Sequence, residues 1–144
     1  MPKLSNPTAK QKVEMLDNRY RPYIKSIGYC EAETTGQTLD WSHIIGRTYI
    51  KTRWDPRNTQ AIGHNIHGVW TDNPILFTRW VENSSCGKYM DTMQVQAYSI
   101  AKPDYELWFK IYEIITERNY TVEESREWLG QNIMLNIYDL SKLD

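Results

Sequence analysis

The sequence predicts an α+β protein that is mostly helical and contains one two-stranded hairpin. Several stretches carry apolar residues at helical spacing, whereas residues 38–62 hold two short segments of strand character around a long basic loop. The chain has 144 residues, 40% of them hydrophobic, with six tryptophans and ten tyrosines, which is enough for one aromatic-rich core. We divide it into an N-terminal helix and arm over 1–27, a central domain over 28–120 and a C-terminal helix over 121–144.

The first helix is predicted over residues 9–26, with Thr8 as its N-cap. Pro22 lies inside this pattern, so we expect the helix to kink or restart there. The apolar residues predicted to share its buried face are Val13, Leu16, Tyr20, Tyr23, Ile24 and Ile27.

The hairpin comes next. Its first strand is predicted within 38–45 and its return strand within 59–62, because both segments are β-branched or apolar and are bounded by turn residues. A helix should then run from Gly63 through Trp70. The positions of the first strand that we expect to be buried are Leu39, Trp41 and Ile44.

Four more helices are predicted after the hairpin. One starts at Pro74, where proline is tolerated, and two others span about 87–99 and 104–118. Two apolar stripes are expected in the core: Ile75, Leu76, Phe77, Trp80 and Val81, and then Leu107, Trp108, Ile111, Ile114 and Ile115. The last helix begins at a capping box over 121–124 and runs to about Tyr138. It either docks on the domain or pairs with another chain, so the oligomeric state stays open, a homodimer included.

Residues 39–70 concentrate the side chains that could carry chemistry. The three histidines of the chain all lie there: His43, His64 and His67. Asn58 follows His43 by fifteen residues and precedes His67 by nine. Phosphodiester hydrolysis needs a base that activates water, a cation that neutralises phosphate and a group that holds the base in place. Imidazole suits the first role, because it is neutral and basic near pH 7.

The segments SHIIGR, TRWDPRN and HGVW, followed by PILFTRWV, resemble the phage-type HNH (ββα-metal) endonucleases, including the Rap/NinG-like recombination nucleases. The resemblance covers about residues 28–115. It implies an HNH core, made of the hairpin and the helix after it, with flanking N-terminal and C-terminal helices. It also implies that His43 is the general base, that Asn58 fixes the tautomer of His43, and that His67 binds a divalent metal ion.

The resemblance further implies DNA as the partner and Mg, Mn or Zn as the metal. His64 shares a helix face with His67 and is a second candidate ligand. Asp40 is a third, but on a strand its side chain points away from His43, so we expect it to reach the metal only if the strand bulges. The basic residues expected to contact DNA phosphates are Arg47, Lys51, Arg53 and Arg57.

The chain departs from the family pattern in two places. Ser42 stands before the base, where an acidic residue or a histidine is frequent, and serine is a poor ligand for a divalent cation. Related phage proteins often carry a four-cysteine zinc knuckle, of which only Cys30 is present, because the other positions hold Glu33, Gly63 and Ile66. One thiolate does not hold zinc, so we expect no structural zinc.

The expected function is metal-dependent hydrolysis of DNA phosphodiester bonds, by nicking or by cleavage of recombination intermediates, in a phage-encoded protein. The alternative is a catalytically weak or inactive HNH-fold module that binds DNA or protein. The net charge of −1 hides an asymmetry, because residues 103–144 hold nine acidic and four basic residues. We find no apolar signal segment and no run of ~18–20 apolar residues, which predicts a cytoplasmic location and no membrane partner.

Overall fold

The computed structural model of the protein describes residues 6–32, 38–99, 102 and 104–132. It confirms an α+β architecture that is mostly helical, with one two-stranded antiparallel sheet in these ranges. In chain order the elements are α1 (Ala9–Lys25), β1 (Leu39–His43), β2 (Thr59–Gly63), α2 (His64–Asp72), α3 (Pro74–Asn83), α4 (Met90–Ala97), α5 (Tyr105–Glu117) and α6 (Val122–Asn132). Within the same ranges, no helix combines the length and the apolar character needed to cross a bilayer.

Helix α1 is capped by Thr8 as predicted, and the structure adds a full capping box there. The Thr8 hydroxyl accepts a hydrogen bond from the Gln11 N–H, and the Gln11 side chain accepts one from the Thr8 N–H. The helix continues through Pro22 to Lys25, so the expected restart at the proline does not occur. Pro22 keeps its carbonyl, which accepts from the Ser26 N–H at 2.9 Å and closes the last turn. The helix therefore loses only the hydrogen bond of the missing proline N–H.

Helices α1, α5 and α6 enclose one hydrophobic core together with the inner face of the hairpin. The buried residues of this core are Leu16, Tyr20, Ile24, Trp41, Trp54, Ala61, Leu107, Trp108, Ile111, Ile114, Ile115, Val122, Trp128 and Leu129. The five predicted core positions of α5 are confirmed. Because α6 supplies three core residues, it docks on the rest of the domain over 122–132, while its predicted continuation to Tyr138 lies outside the described residues. The N-terminal, central and C-terminal segments thus share one core.

The hairpin has a regular antiparallel register that starts with Leu39 opposite Gly63 and contains no bulge. Side chains alternate along β1, so Trp41 packs into the core while Asp40 lies on the face that meets α2. Trp41 is buried as predicted, whereas Leu39 and Ile44 are only half-buried. The hairpin therefore separates two environments, a filled core on one face and α2 on the other.

The second half of the hairpin is unusually enclosed. Every residue from 54 to 63 is buried, including the charged Asp55 and Arg57. Cys30 and Cys86 are also buried. That the fold needs no structural zinc stays a prediction.

Helices α2 and α3 are largely exposed. No residue of α2 is buried, and on α3 only Val81 is. The prediction that the apolar stripe of α3 lies in the core is therefore wrong for Ile75, which is 69% exposed, and for Leu76, which is 46% exposed, and it is confirmed for Val81. Phe77 packs against Trp70 of α2, with ring centroids 5.1 Å apart. The physical reason is that α1, α5 and α6 already fill the core, which leaves α3 to pack on α2 and the turn that follows.

Candidate functional site

His43 ends β1, and its ring is held against the loop that follows. Its Nε2 atom lies 2.9 Å from the carbonyl oxygen of Arg53. A carbonyl oxygen only accepts, so Nε2 carries the proton and Nδ1 keeps its lone pair. Burial lowers the pKa of His43 to about 4, helped by the charges of Arg47 and Arg53, although the bond to the Arg53 carbonyl opposes the shift. The imidazole is therefore neutral at pH 7 and offers one basic nitrogen.

Asn58 fixes the loop rather than the imidazole. Its side-chain oxygen accepts from the Ile45 N–H at 2.8 Å, and its amide nitrogen donates to the carbonyls of Ile45 and Thr52 at 3.1 and 3.0 Å. This corrects the expectation that Asn58 sets the tautomer of His43, because the Arg53 carbonyl occupies that role. The amide reaches the backbone on both sides of the loop and so holds the segment that presents this carbonyl.

Asp40 joins the two histidines of α2. Its Oδ2 atom lies 2.9 Å from Nδ1 of His64 and 2.9 Å from Nδ1 of His67. Burial raises the pKa of Asp40, but the hydrogen bonds from His67 and His64 outweigh burial and hold the pKa below its usual value. The contact needs no bulge, because α2 packs across the face of β1 that carries Asp40. Asp40 therefore contacts His67, the other candidate ligand, from a strand without a bulge.

An open cleft of about 430 Å³ brings the main candidates together. Asp40, His43 and His67 all line it. A neighbouring pocket of about 250 Å³ is also lined by His43 and His67, together with Trp70 and Phe77. The structure thus places the predicted base and the predicted metal ligand on one continuous surface depression.

Three of the four basic residues expected to contact DNA are committed to partners within the protein. Arg57 is 1% exposed and pairs with Asp55, with Nη2 2.7 Å from Oδ2. Arg53 pairs with Asp17 of α1, with Nη2 2.6 Å from Oδ2. Lys51 donates to the carbonyl and hydroxyl oxygens of Ser99. The placement of Arg57 corrects its expected DNA contact, because a guanidinium this buried is closed off from a phosphate. Lys51 and Arg53 are only partly buried, so their DNA contacts stay predictions.

Arg47 differs from the other loop cations, because it is exposed and lines the cleft. Two basic residues that sequence reasoning missed line the same cleft, Arg21 and Lys25 of α1. They stand four residues apart and therefore share one face of the helix. The sequence indicated these two cations only weakly, because all it showed was that they lie outside the apolar stripe of α1. Three cations around one cleft suit a phosphate group.

Arg126 of α6 supports the loop and the hairpin in a way that the sequence did not reveal. The guanidinium is buried and donates to the carbonyls of Pro56 and Thr59, each at 2.8 Å. It also pairs with Glu31, with Nη1 2.6 Å from Oε1. Glu31 in turn accepts from the Ala61 N–H at 2.7 Å. The end of the loop and the start of β2 are therefore held from a distant helix, whose arginine looks like an ordinary surface residue in the sequence.

Two side chains of the cleft, Asp40 and His67, are candidate metal ligands. Across the described ranges, no group of three or more histidine, cysteine, aspartate or glutamate side chains is arranged to hold a metal ion. Asp40 and His67 nonetheless offer a carboxylate oxygen and an imidazole nitrogen within the cleft. His64 has 74% of its side chain exposed and contacts Asp40 from outside the cleft lining. Two protein ligands are enough for an ion such as Mg²⁺, which keeps waters and binds substrate phosphates.

Comparison with known proteins adds no relative: no family model, no curated protein and no solved structure matches the chain. The resemblance to HNH endonucleases therefore depends on the residues and geometry described above.

Proposed function

We propose that this chain is a metal-dependent nuclease of the HNH type that hydrolyses phosphodiester bonds in DNA. One observation supports the proposal most. A neutral histidine with an available basic nitrogen, His43, lines the same cleft as the pair formed by Asp40 and His67. His43 also lies on the first strand of the hairpin and His67 on the helix after it, which is where the resemblance implies the base and the metal ligand. A base, a carboxylate–imidazole pair and nearby cations are the groups that phosphodiester hydrolysis requires.

His43 acts as the general base in this proposal. Its Nδ1 atom takes a proton from water as the water oxygen attacks phosphorus and one ester P–O bond breaks. The carbonyl of Arg53 accepts from Nε2, which keeps the ring in the required tautomer and stabilises the protonated ring that forms. Asn58 is a positioning residue, because it fixes the loop backbone that presents this carbonyl.

Asp40 and His67 would hold the divalent ion, and His64 would orient Asp40 through its hydrogen bond. When bound, such an ion neutralises phosphate charge and stabilises the leaving oxygen. Imidazole nitrogen favours Zn²⁺ and carboxylate oxygen favours Mg²⁺ or Mn²⁺, so this mixed pair is compatible with all three. Arg47, with the two cations of α1, would hold the DNA backbone beside the cleft.

A plasmid-nicking assay tests the proposal. Nicking rates of the full chain are measured with Mg²⁺, Mn²⁺ or Zn²⁺ and with EDTA, for wild type, His43→Ala and the control Lys110→Ala, an exposed residue of α5. Loss of a general base lowers rates by roughly 10²–10⁴-fold, so His43→Ala should nick that much more slowly while Lys110→Ala matches wild type. EDTA should stop nicking. Equal rates for wild type and His43→Ala would refute the assignment.

A DNA-binding module without catalysis is the second candidate. Ser42 favours it, because this serine beside His43 is 2% exposed and supplies no carboxylate or imidazole to the metal. The two candidates differ in one measurement. DNA binding in EDTA combined with no nicking in any of the three metals supports the module, whereas metal-dependent nicking that needs His43 supports the nuclease.

A further inference from the structure

A more apolar pocket of about 310 Å³ lies beside the proposed catalytic cleft. A third, smaller pocket shares Ile44, Gly46 and Phe77 with the apolar pocket. The same small pocket shares His43 and His67 with the catalytic cleft. The apolar pocket therefore neighbours the catalytic cleft, and Gly46 lines all three pockets.

Exposed aromatic rings distinguish the apolar pocket. Tyr49 and Tyr98 meet edge to face, with ring centroids 4.9 Å apart and an interplanar angle of 78°. Neither is absorbed into the core, since Tyr98 is 63% exposed and Tyr49 is 39% exposed. Phe77 also lines the pocket, and Gln94 adds an amide that can both donate and accept. Aromatic faces for stacking and a few polar groups for the base edge are the means by which proteins bind unpaired nucleobases.

The distance from His43 to the pocket is short enough for the two to contact neighbouring parts of one DNA strand. Gly46 lines the pocket and follows His43 by three residues, so the pocket wall begins within about 10 Å of the proposed base. A base bound there would belong to a nucleotide next to the phosphodiester that His43 attacks. A base in duplex DNA is stacked and paired, and it enters such a pocket only after leaving the helix.

We propose that this pocket, lined by Tyr49, Phe77, Gln94 and Tyr98, binds one unpaired nucleobase beside the cleaved phosphodiester. The substrate is then DNA that unpairs at the cut, as negatively supercoiled plasmid can do locally, rather than duplex that stays fully paired. This inference rests on the proposed nuclease function, because it takes the phosphodiester near His43 as its reference point. It goes further by naming the form of DNA and the residues that select it.

Binding in EDTA tests the pocket without requiring cleavage. Fluorescence anisotropy measures the affinity of the full chain for three labelled probes of about twelve nucleotides. The probes are an oligothymidylate, a strand of equal length whose residues are all abasic, and a duplex. The variants are Tyr98→Ala and the matched control Tyr29→Ala, which removes a tyrosine that is 46% exposed and does not line the pocket.

Wild type should bind oligothymidylate about tenfold more tightly than the abasic strand, because only the former has bases to stack. Tyr98→Ala should lose this preference while its affinity for the abasic strand stays unchanged, and Tyr29→Ala should keep it. Equal wild-type affinity for the two strands, or a preference that survives Tyr98→Ala, overturns the base pocket.

Failure of the nuclease proposal has a different signature. In that case His43→Ala nicks plasmid at the wild-type rate, or no probe binds even at low salt. When the probes bind equally well and His43→Ala still loses nicking, only the base pocket is overturned.

Discussion

The loop before β2 buries charged side chains, whereas the face formed by α2 and α3 exposes apolar ones. In the loop, the charged Arg57 and Asp55 are buried and paired. On α3, the apolar Ile75 and Leu76 are exposed. The loop lies under α1 and α6, whereas α3 has little beside α2 to pack against. Burial in this protein is therefore set by which elements cover a segment, and composition alone misjudges both regions.

The contrast also separates two halves of the proposed site. The base side is rigidly supported, since His43, Asn58 and the Arg53 carbonyl belong to a loop held by buried hydrogen bonds. The metal side is more open, since His67 lies on a helix that has no buried residue. We expect changes on the base side to act through stability as well as chemistry, and changes on the α2–α3 side to act with little effect on folding.

The largest expected effect comes from breaking the buried pair in the loop. Arg57→Ala leaves the Asp55 carboxylate without this partner in a buried position, which should cost about 3–5 kcal/mol of unfolding free energy. The control Arg47→Ala, on an exposed residue of the same loop, should change it by less than about 0.5 kcal/mol. Urea unfolding of both variants measures the difference. Similar losses in the two would erase the contrast between buried and exposed loop cations.

The next effect is a pH dependence that originates at His43. In the folded state burial lowers its pKa from 6.5 to about 4, so the unfolded chain binds the proton first as pH falls. Stability should be fully present above pH 6.5 and decline toward pH 4, by at most about 3 kcal/mol for this residue. Melting temperatures across this window should fall more steeply for wild type than for His43→Gln. Parallel curves would show that the imidazole is not buried in its neutral form.

A smaller effect distinguishes binding from folding within the loop. Arg47→Ala should weaken DNA binding for all sequences alike and reduce the salt dependence by about one phosphate contact. Arg53→Ala should leave that slope unchanged and reduce stability instead, because its guanidinium is bound to Asp17. Titration of a labelled duplex at several salt concentrations in EDTA, with unfolding measured in parallel, tests both. A lower salt dependence for Arg53→Ala and an unchanged one for Arg47→Ala would contradict the placement of Arg47 at the DNA-binding cleft.

The smallest effect concerns the exposed apolar face. Ile75→Ser removes a side chain that is 69% exposed, so the unfolding free energy should change by less than about 0.5 kcal/mol. Val81→Ala, in the buried position of the same helix, should cost more than about 1 kcal/mol through the cavity it leaves. Equal costs would indicate that α3 is covered in solution.

Local patterns predicted those features that depend on local contacts. Helix α5 and its buried face followed from apolar spacing, and the N-cap at Thr8 and the capping box at Thr121 formed as predicted, because their partners lie three residues away. The hairpin followed from β-branched segments of the expected length. The fold class needed nothing more than these signals.

Several of the incorrect expectations concern partners that are distant in sequence. Arg53 pairs with a residue 36 positions away, and Arg126 with Glu31, which is 95 positions away. Neither pairing has a local signature. The resemblance identified Asn58 as a residue of the site, but motif spacing does not say which atoms its amide contacts. Asp40 was underrated for a related reason, since strand alternation describes β1 alone and leaves out the helix that packs across it.

The contact between Arg126 and the hairpin has a consequence for the timing of assembly. Thr59 leaves the ribosome 67 residues before the arginine that binds its carbonyl. At about 5–20 residues per second, translation takes roughly 3–13 s to cover that interval. During synthesis the residues of the hairpin are therefore made seconds before Arg126, the side chain that holds the end of their loop. Until Arg126 is made, the carbonyls of Pro56 and Thr59 lack the guanidinium that binds them in the folded protein.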